Sequence, residues 1–543
     1  MNSALWAAGG DALGWMTELS RGQGGVEYRT GLGKVERPVR WRRIIGGRNG
    51  PRVELPSGTY SDDTQLRLAV CRAIRGDGSF DVEAFAKVEI TVWPTYALGG
   101  GLGTKAAAVN LSKRGVNWFS NFFESGDQKY VRGGGNGAAM RIQPHVWASS
   151  GSLEELILDV LRDALVTHGH PHGFCGALFH ALALAETISK GTLPTIEDWS
   201  SFARQIGSVS EILASDSQLA TFWQSAWENA SGLTLHDALM ETRDELLRDI
   251  DTVAPLLRSG SYESYRSALE ALGCVTPAYR GSGLKTALAA SVLADVFRDG
   301  EIGQALAVAA NELDSDTDTI ATMAGALMGA TANEPPKWDI QDYEYIVREA
   351  QRLAAIAQGI PQDSFSYPDL ARWNPPTKQI ASVGLLSNGI AIAGLGELRP
   401  EGREYRSGDA IWQWCELPFG QTILAKRSVI LNDRVPIDQL PGQRQSAQAI
   451  SERDRMNERS TPQQRSLLPN DGGSGKRTDR PSVRRQYFSD LDQWTTEAIS
   501  SGFDERIVGR LLNECIDATD SIEAAIAFAA IIAKAKIARR RRR

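Results

Sequence analysis

Two short runs in this chain put more carboxylate in one place than folding alone requires: Ser61-Asp62-Asp63-Thr64 and Asp314-Ser315-Asp316-Thr317-Asp318-Thr319. Each leads into an apolar stretch of helical spacing, residues 66–73 and 320–330, so the acids are expected at helix N-termini on fixed elements. Ser or Asp as an N-cap, with an acid in the first turn, accounts for either run taken alone. Taken together, the charge exceeds capping, and carboxylates this dense repel one another unless something positive sits between them. Oxygen ligands with no His or Cys among them suit a hard cation, Mg²⁺ or Mn²⁺, better than zinc. The pattern predicts a two-metal centre that handles phosphates, sugar hydroxyls or water.

Four further stretches carry residue types that do chemistry. Gly10-Asp11-Ala12-Leu13-Gly14 allows close backbone approach, and Glu18 just after it could face a site as acid, base or gate. Gly133-Gly134-Gly135-Asn136-Gly137-Ala138-Ala139-Met140-Arg141 is a glycine-rich loop whose backbone N–H groups can cradle an anion, with Arg141 beside it. It lacks the Gly-Lys-Ser/Thr of a P-loop. Arg280-Gly281-Ser282-Gly283 is a second candidate anion loop before a helix, and Thr167-His168-Gly169-His170-Pro171-His172 holds half of the six histidines. Pro171 breaks the spacing, so that stretch reads as a helix-entry loop touching ligand rather than as a zinc site. His180, inside the next helix, reads as structural.

The elements that must position these residues are mostly helices. Helical spacing covers 62–76, 152–166, 171–188, 236–250, 284–298, 302–312, 317–331 and 341–357, and strand signals are scarce before residue 360. In the run after Asp318, Ala321, Gly325 and Gly329 stand four apart, a small-residue strip that lets another helix approach closely. Beyond Pro361 the period changes. A hairpin is expected around Asn388-Gly389, flanked by strands over 381–387 and 390–398. Further strands are expected over 411–417 and 421–431. Residues 1–360 therefore read as a helical domain, 361–440 as a small β module, 441–486 as a polar disordered linker, and 487–543 as a helical tail with a basic end. All the chemical motifs lie before residue 331, so a fragment ending near 360 is expected to carry the whole site.

Composition sets the outer bounds. The chain has 543 residues, 42% hydrophobic and 23% charged, with a net charge of −7, which argues against wholesale nucleic-acid binding. Arg539 to Arg543 offers charge for nucleic acid or an acidic partner, although a solvated terminus is the commoner use of such a run. Five scattered cysteines form no CxxC pair, no secretory-type leader opens the chain, and no apolar run is long enough for a bilayer, so the expected setting is cytoplasmic.

In order, GDALGxxxE (10–18), SDDT (61–64), GNGAAMR (135–141), THxHP (167–171) and DTDT before a small-residue helix resemble the ADP-ribosylglycohydrolases, over roughly residues 1–358. The resemblance implies an all-α orthogonal helical bundle with a dinuclear Mg²⁺ or Mn²⁺ site in a central cleft. It places Ser61, Asp62 and Asp63 in the first ligand motif and Asp316, Asp318 and Thr319 in the second. Glu18 matches a flap or catalytic glutamate, with Asp62, Asp63 and Asp316 as other proton carriers. Gly135, Asn136, Gly137 and Met140 match the loop that holds diphosphate and ribose, and His168 a ligand contact. The implied activity is hydrolysis of the bond between ADP-ribose and an acceptor on a protein, with a small ADP-ribose derivative or mere binding as alternatives. Partner contacts would fall to the C-terminal regions. Two departures stand out: Asp314-Ser315 replaces the usual Gly-Gly, an extra carboxylate near the metals, and Ser61 replaces the commoner Thr.

Overall fold

The computed structural model describes residues 1–259, 261–442, 493–519 and 522–541. The elements that build the site are helix α1 (Asn2–Trp15), the antiparallel hairpin β1 (Trp41–Ile44) and β2 (Arg52–Leu55), and helices α2 (Asp62–Ala73), α3 (Pro171–Lys190), α4 (Gly283–Val296), α5 (Ile302–Asn311), α6 (Thr317–Thr331) and α7 (Tyr343–Ala357). All eight helices expected from spacing are present, within a few residues at their ends. The β1–β2 hairpin was not expected. Nor was α1 expected from its spacing, because it is buried on nearly every side and has no polar face to set off a stripe.

Helices α1 and α6 run antiparallel through the centre at backbone contact. A Cβ on Gly10 would lie 2.4 Å from the Ala321 carbonyl oxygen, and one on Gly14 would lie 2.3 Å from that of Thr317. From the other side, a Cβ on Gly325 would lie 2.4 Å from the Trp6 carbonyl oxygen. The small-residue strip of α6 thus meets its counterpart on α1. Hydroxyls stitch the seam: Thr317 Oγ1 donates to the Gly14 carbonyl at 2.8 Å, Thr322 Oγ1 to Ala7 at 2.7 Å and Ser3 Oγ to Ala326 at 2.7 Å. Each satisfies a polar group that would be costly to bury alone.

Strands β3 (Val383–Leu386), β4 (Gly389–Ile392), β5 (Gly396–Ser407), β6 (Ala410–Glu416) and β7 (Thr422–Ser428) form one antiparallel meander in chain order. The expected turn sits one residue early. Leu386 pairs with Gly389, so Ser387 and Asn388 form the tip, and only Gly389 has positive φ (141°). The expected strand 390–398 is two strands, because Gly394 at φ 82° turns the chain back.

The boundary expected near residue 360 is not a division of the structure. Met1–Ser215 and, among the described residues, 223–442 form one compact unit. Arg72 of α2 is buried in a bidentate ion pair with Glu89, at 2.8 and 2.9 Å, and donates to Gln421 Oε1 at 2.7 Å. The Tyr367 hydroxyl donates to Glu89 at 2.6 Å. A chain ending at 360 keeps the ion pair and the Tyr345 hydroxyl on Arg72 at 3.2 Å but loses the Gln421 and Tyr367 hydrogen bonds, which leaves buried charge less well satisfied. Asp216–Phe222 and the described residues after 492 make a second unit. Its helices Glu505–Thr519 and Ile522–Arg541 close on their own apolar cluster, which includes Leu511, Cys515 and Phe528. The expected linker lies outside the described residues from 443 onward.

Substituting Gly10→Ala forces α1 and α6 apart and is expected to cost about 1–3 kcal/mol. Thermal unfolding of that variant beside Gly33→Ala, where a Cβ meets nothing within 4 Å, checks it. Equal melting temperatures for the two would show that the seam tolerates separation.

Candidate metal and substrate centre

The antiparallel seam sets the C-terminal end of α1 beside the N-terminal end of α6. Glu18, one turn beyond Gly14, therefore reaches the second acidic run. The first acidic run opens α2, where Ser61 caps the helix and its Oγ accepts from the Asp63 N–H at 3.2 Å. Asp11 holds that turn from α1. Its carboxylate accepts from the N–H of Ser61 at 2.9 Å, from that of Thr64 at 2.9 Å and from Thr64 Oγ1 at 2.5 Å. Asp11 belongs to the GDALG stretch, yet nothing in its local sequence distinguishes it from a packing position.

Glu18, Asp62, Asp63, Asp316, Asp318 and Thr319 line one cleft of about 950 Å³ together with Gly135, Asn136, Gly137, Met140, His168 and Gly281. Burial raises all four aspartates above the ordinary carboxylate range, and the neighbouring carboxylates add to it. Asp62 is pushed up to about 7 by burial, then by Glu18 and Asp11. Asp63 Oδ2 is buried without a hydrogen-bond partner. A buried carboxylate oxygen without a partner is costly, and a cation there would satisfy it. Among the described residues no three His, Cys, Asp or Glu side chains form a closed ligand set around one point. The acidic side chains that line the cleft, with the Thr319 hydroxyl, offer oxygen donors of the type that Mg²⁺ takes.

The glycine loop is tied to this centre. Asn136 Nδ2 donates to Asp316 Oδ2 at 2.9 Å. The two candidate anion loops pair with each other: the Asn136 N–H donates to the Gly281 carbonyl at 2.9 Å, and the Gly283 N–H to Gly134 at 2.9 Å. Among the described residues the N–H groups of Gly135 and Gly137 have no protein acceptor, which leaves them for an anion. His168 backs the loop. Burial, with Arg141 second, pushes its imidazole down to about 3, so it is neutral there.

Three expected residues stand elsewhere. Arg141 is fully buried, paired with Asp163 at 2.8 Å and donating to the Gly137 carbonyl at 3.1 Å. It braces the loop from behind and does not reach an anion in the cleft. Ser282 lines the adjoining cavity of about 830 Å³ and is bonded to His172 Nδ1 at 3.0 Å. Ser61 is wholly buried as a cap, with Oγ 3.4 Å from Asp63 Oδ1. Asp314 is exposed and does not line the cleft, so the extra carboxylate adds nothing to the centre. The third histidine of the cluster, His172, faces Glu245.

Other residues of the cleft went unread in the sequence. Arg43 of β1 pairs with Glu18 at 2.8 Å and stacks over Trp15 at 5.2 Å, fixing the glutamate at the mouth. Gly99, at φ 116°, lies where a Cβ would come 2.4 Å from Asp62 Oδ1. A signal for it exists, since Gly99-Gly100-Gly101-Leu102-Gly103 is as glycine-rich as the 133–137 loop. Gln379, Trp412, Leu424 and Lys426 of the β region complete the cleft.

The ADP-ribosylglycohydrolase family model matches residues 4–364, and the chain belongs to that family. It is 28% identical over 172 residues to ADP-ribosyl-[dinitrogen reductase] glycohydrolase of Rhodospirillum rubrum, an alignment covering 32% of this chain and 51%, about half, of that relative's length. A solved structure described as an ADP-ribosylglycohydrolase-related protein complex is 20% identical with a TM-score of 0.38, over 66% of this chain and 99% of the other.

Asp63→Asn removes one of the buried like charges. In metal-free protein it is expected to raise stability by on the order of 1–2 kcal/mol. Urea unfolding in chelator reads this directly, and a loss of stability would mean that the carboxylates do not oppose one another in the fold.

Proposed function

We propose that the chain is a glycosidic hydrolase that cleaves the bond between ADP-ribose and an acceptor, reversing ADP-ribosylation of a protein. One observation carries the reading. Five carboxylates from the ends of α1, α2 and α6 converge beside unpartnered backbone N–H groups of a glycine loop. Charge that attracts cations thus adjoins a cradle for a diphosphate.

Two Mg²⁺ or Mn²⁺ ions would be held by Asp62, Asp63, Asp316, Asp318 and Thr319, with Ser61 behind Asp63; when bound, they supply positive charge against ribose hydroxyls and lower the pKa of water. The chain's own residues do the rest. Gly135 and Gly137 take the diphosphate, Asn136 orients Asp316, and neutral His168 backs the loop without competing for anions. Water adds at the anomeric carbon as the bond to the acceptor breaks, and the water proton passes to a cleft carboxylate and from there to the departing acceptor. Glu18 is the best placed, because it stands at the mouth and Arg43 holds it still. Asp62, Asp63 and Asp316 are the other carriers. The products are ADP-ribose and the free acceptor. A small ADP-ribose derivative would be cleaved by the same groups. A non-catalytic binder is disfavoured because every acidic position of the site is filled.

Turnover of an ADP-ribosyl substrate is expected to vanish on chelation and return with Mg²⁺ or Mn²⁺. Asp318→Asn is expected to lower activity by more than about 100-fold, since changes one shell further from a metal already cost up to that much. Full activity of Asp318→Asn in chelator would remove the metal from this reading.

A further inference from the structure

One wall of the cleft comes from outside residues 4–364 that match the family. Trp412 of β6 and Lys426 of β7 are direct cross-strand partners, so their side chains share a face. The Lys426 ammonium lies 5.0 Å from the Trp412 ring centroid, and its Nζ donates to Gln379 Oε1 at 3.1 Å. Both line the cleft. Trp412 seats on Gly46, at φ 87°, where a Cβ would come 2.5 Å from the indole. Gly46 follows β1, the strand whose Arg43 holds Glu18. The Gln379 carbonyl accepts from Thr95 Oγ1 at 2.8 Å, in the segment that leads to Gly99 against Asp62. The wall is therefore built on the Glu18 and Asp62 side. The glycine cradle is built on the Asp316 side, through Asn136.

A ligand with its diphosphate in the cradle and its anomeric carbon over the acids points its leaving group at this wall. Among the described residues Lys426 has no carboxylate within ion-pair distance, and Asp409 acts on it only at longer range. Burial lowers the ammonium from its ordinary value, so an incoming anion would offset a desolvation already incurred. A guanidinium on the leaving group would meet a like charge over an aromatic face that is already occupied.

We propose that Lys426, positioned by Trp412 and Gln379, forms a leaving-group subsite that takes an acceptor carrying an anionic group, phosphate or carboxylate, next to the scissile bond, in preference to a guanidinium. This rests on the hydrolase reading above and names its substrate class.

Calorimetry on the full chain with Mg²⁺ tests it, comparing ADP-ribose with ADP-ribose 1″-phosphate. In the wild type the added phosphate is expected to tighten binding about tenfold, the worth of one hydrogen bond to a charged group. Lys426→Met is expected to lose that gain, and Lys426→Arg to keep it. A melting curve for each variant checks the fold, with Lys426→Gln as the second neutral variant if Met is not tolerated. No gain in the wild type, or a gain that survives in both neutral variants, overturns the subsite. Failure of ADP-ribose itself to bind the wild type overturns the hydrolase reading and the subsite with it. Binding of ADP-ribose without discrimination by Lys426 overturns the subsite alone. In turnover, Lys426→Glu is expected to shift preference toward arginine-linked ADP-ribose, and an unchanged preference counts against the proposal.

Discussion

Backbone contact between α1 and α6 is the constraint on which the rest depends. Helices with ordinary side chains pack 8–10 Å apart. Glycines at 10, 14, 325 and 329 let these two approach more closely, and the approach delivers Glu18 to the start of α6. The same seam carries Asp11, which reaches sideways to hold the first turn of α2. One helix pair thus sets the relative position of both acidic runs and the glutamate between them. No loop is asked to carry that precision, which suits a site needing fixed geometry.

The centre is assembled at an electrostatic cost. Four aspartates are raised by burial and by one another, and one oxygen of Asp63 has no partner at all. The surroundings offset part of this with neutral donors: the Asn136 amide to Asp316, and backbone and threonine donors to Asp11. Arg43 pairs with Glu18, while two other nearby guanidinium groups point away from the four aspartates. Arg141 is spent on Asp163, and Arg67 donates to Thr322, Gln143 and the Met140 carbonyl. An arginine inserted among the aspartates would neutralise them permanently. With Arg141 and Arg67 bonded behind the site, they stiffen it while the aspartates stay available.

The β sheet extends this logic. Arg72, at the last turn of α2, is satisfied from both sides, by Glu89 within the helical body and by Gln421 at the start of β7. The sheet is therefore held by the interior of the helix that presents Asp62 and Asp63. A layer anchored there can present Trp412 and Lys426 to the cleft although both lie far along the chain from its motifs.

Much of this was legible in the residues. Periodicity placed α2 through α7, and the strip Ala321, Gly325, Gly329 announced a close helix neighbour. The acidic runs and the glycine loop marked residues that meet in one cleft, because charge density and N–H exposure are properties of residue type and spacing. What the sequence could not contain was direction. Arg141 follows the glycine loop in sequence but turns behind it to Asp163, and Ser282 faces a neighbouring cavity, since a side chain's aim depends on what packs against it. Asp11, Arg43, Trp412 and Lys426 were unreadable as site residues for the same reason: each acts on a group far away in sequence. The chain by itself determined the positions of the periodic helices, the presence of strands after residue 380 and the inventory of acids. Only the tertiary structure decided which acids share a cleft, which cations face it, and that a sheet after residue 380 closes it, because long-range burial is what brings those groups within reach.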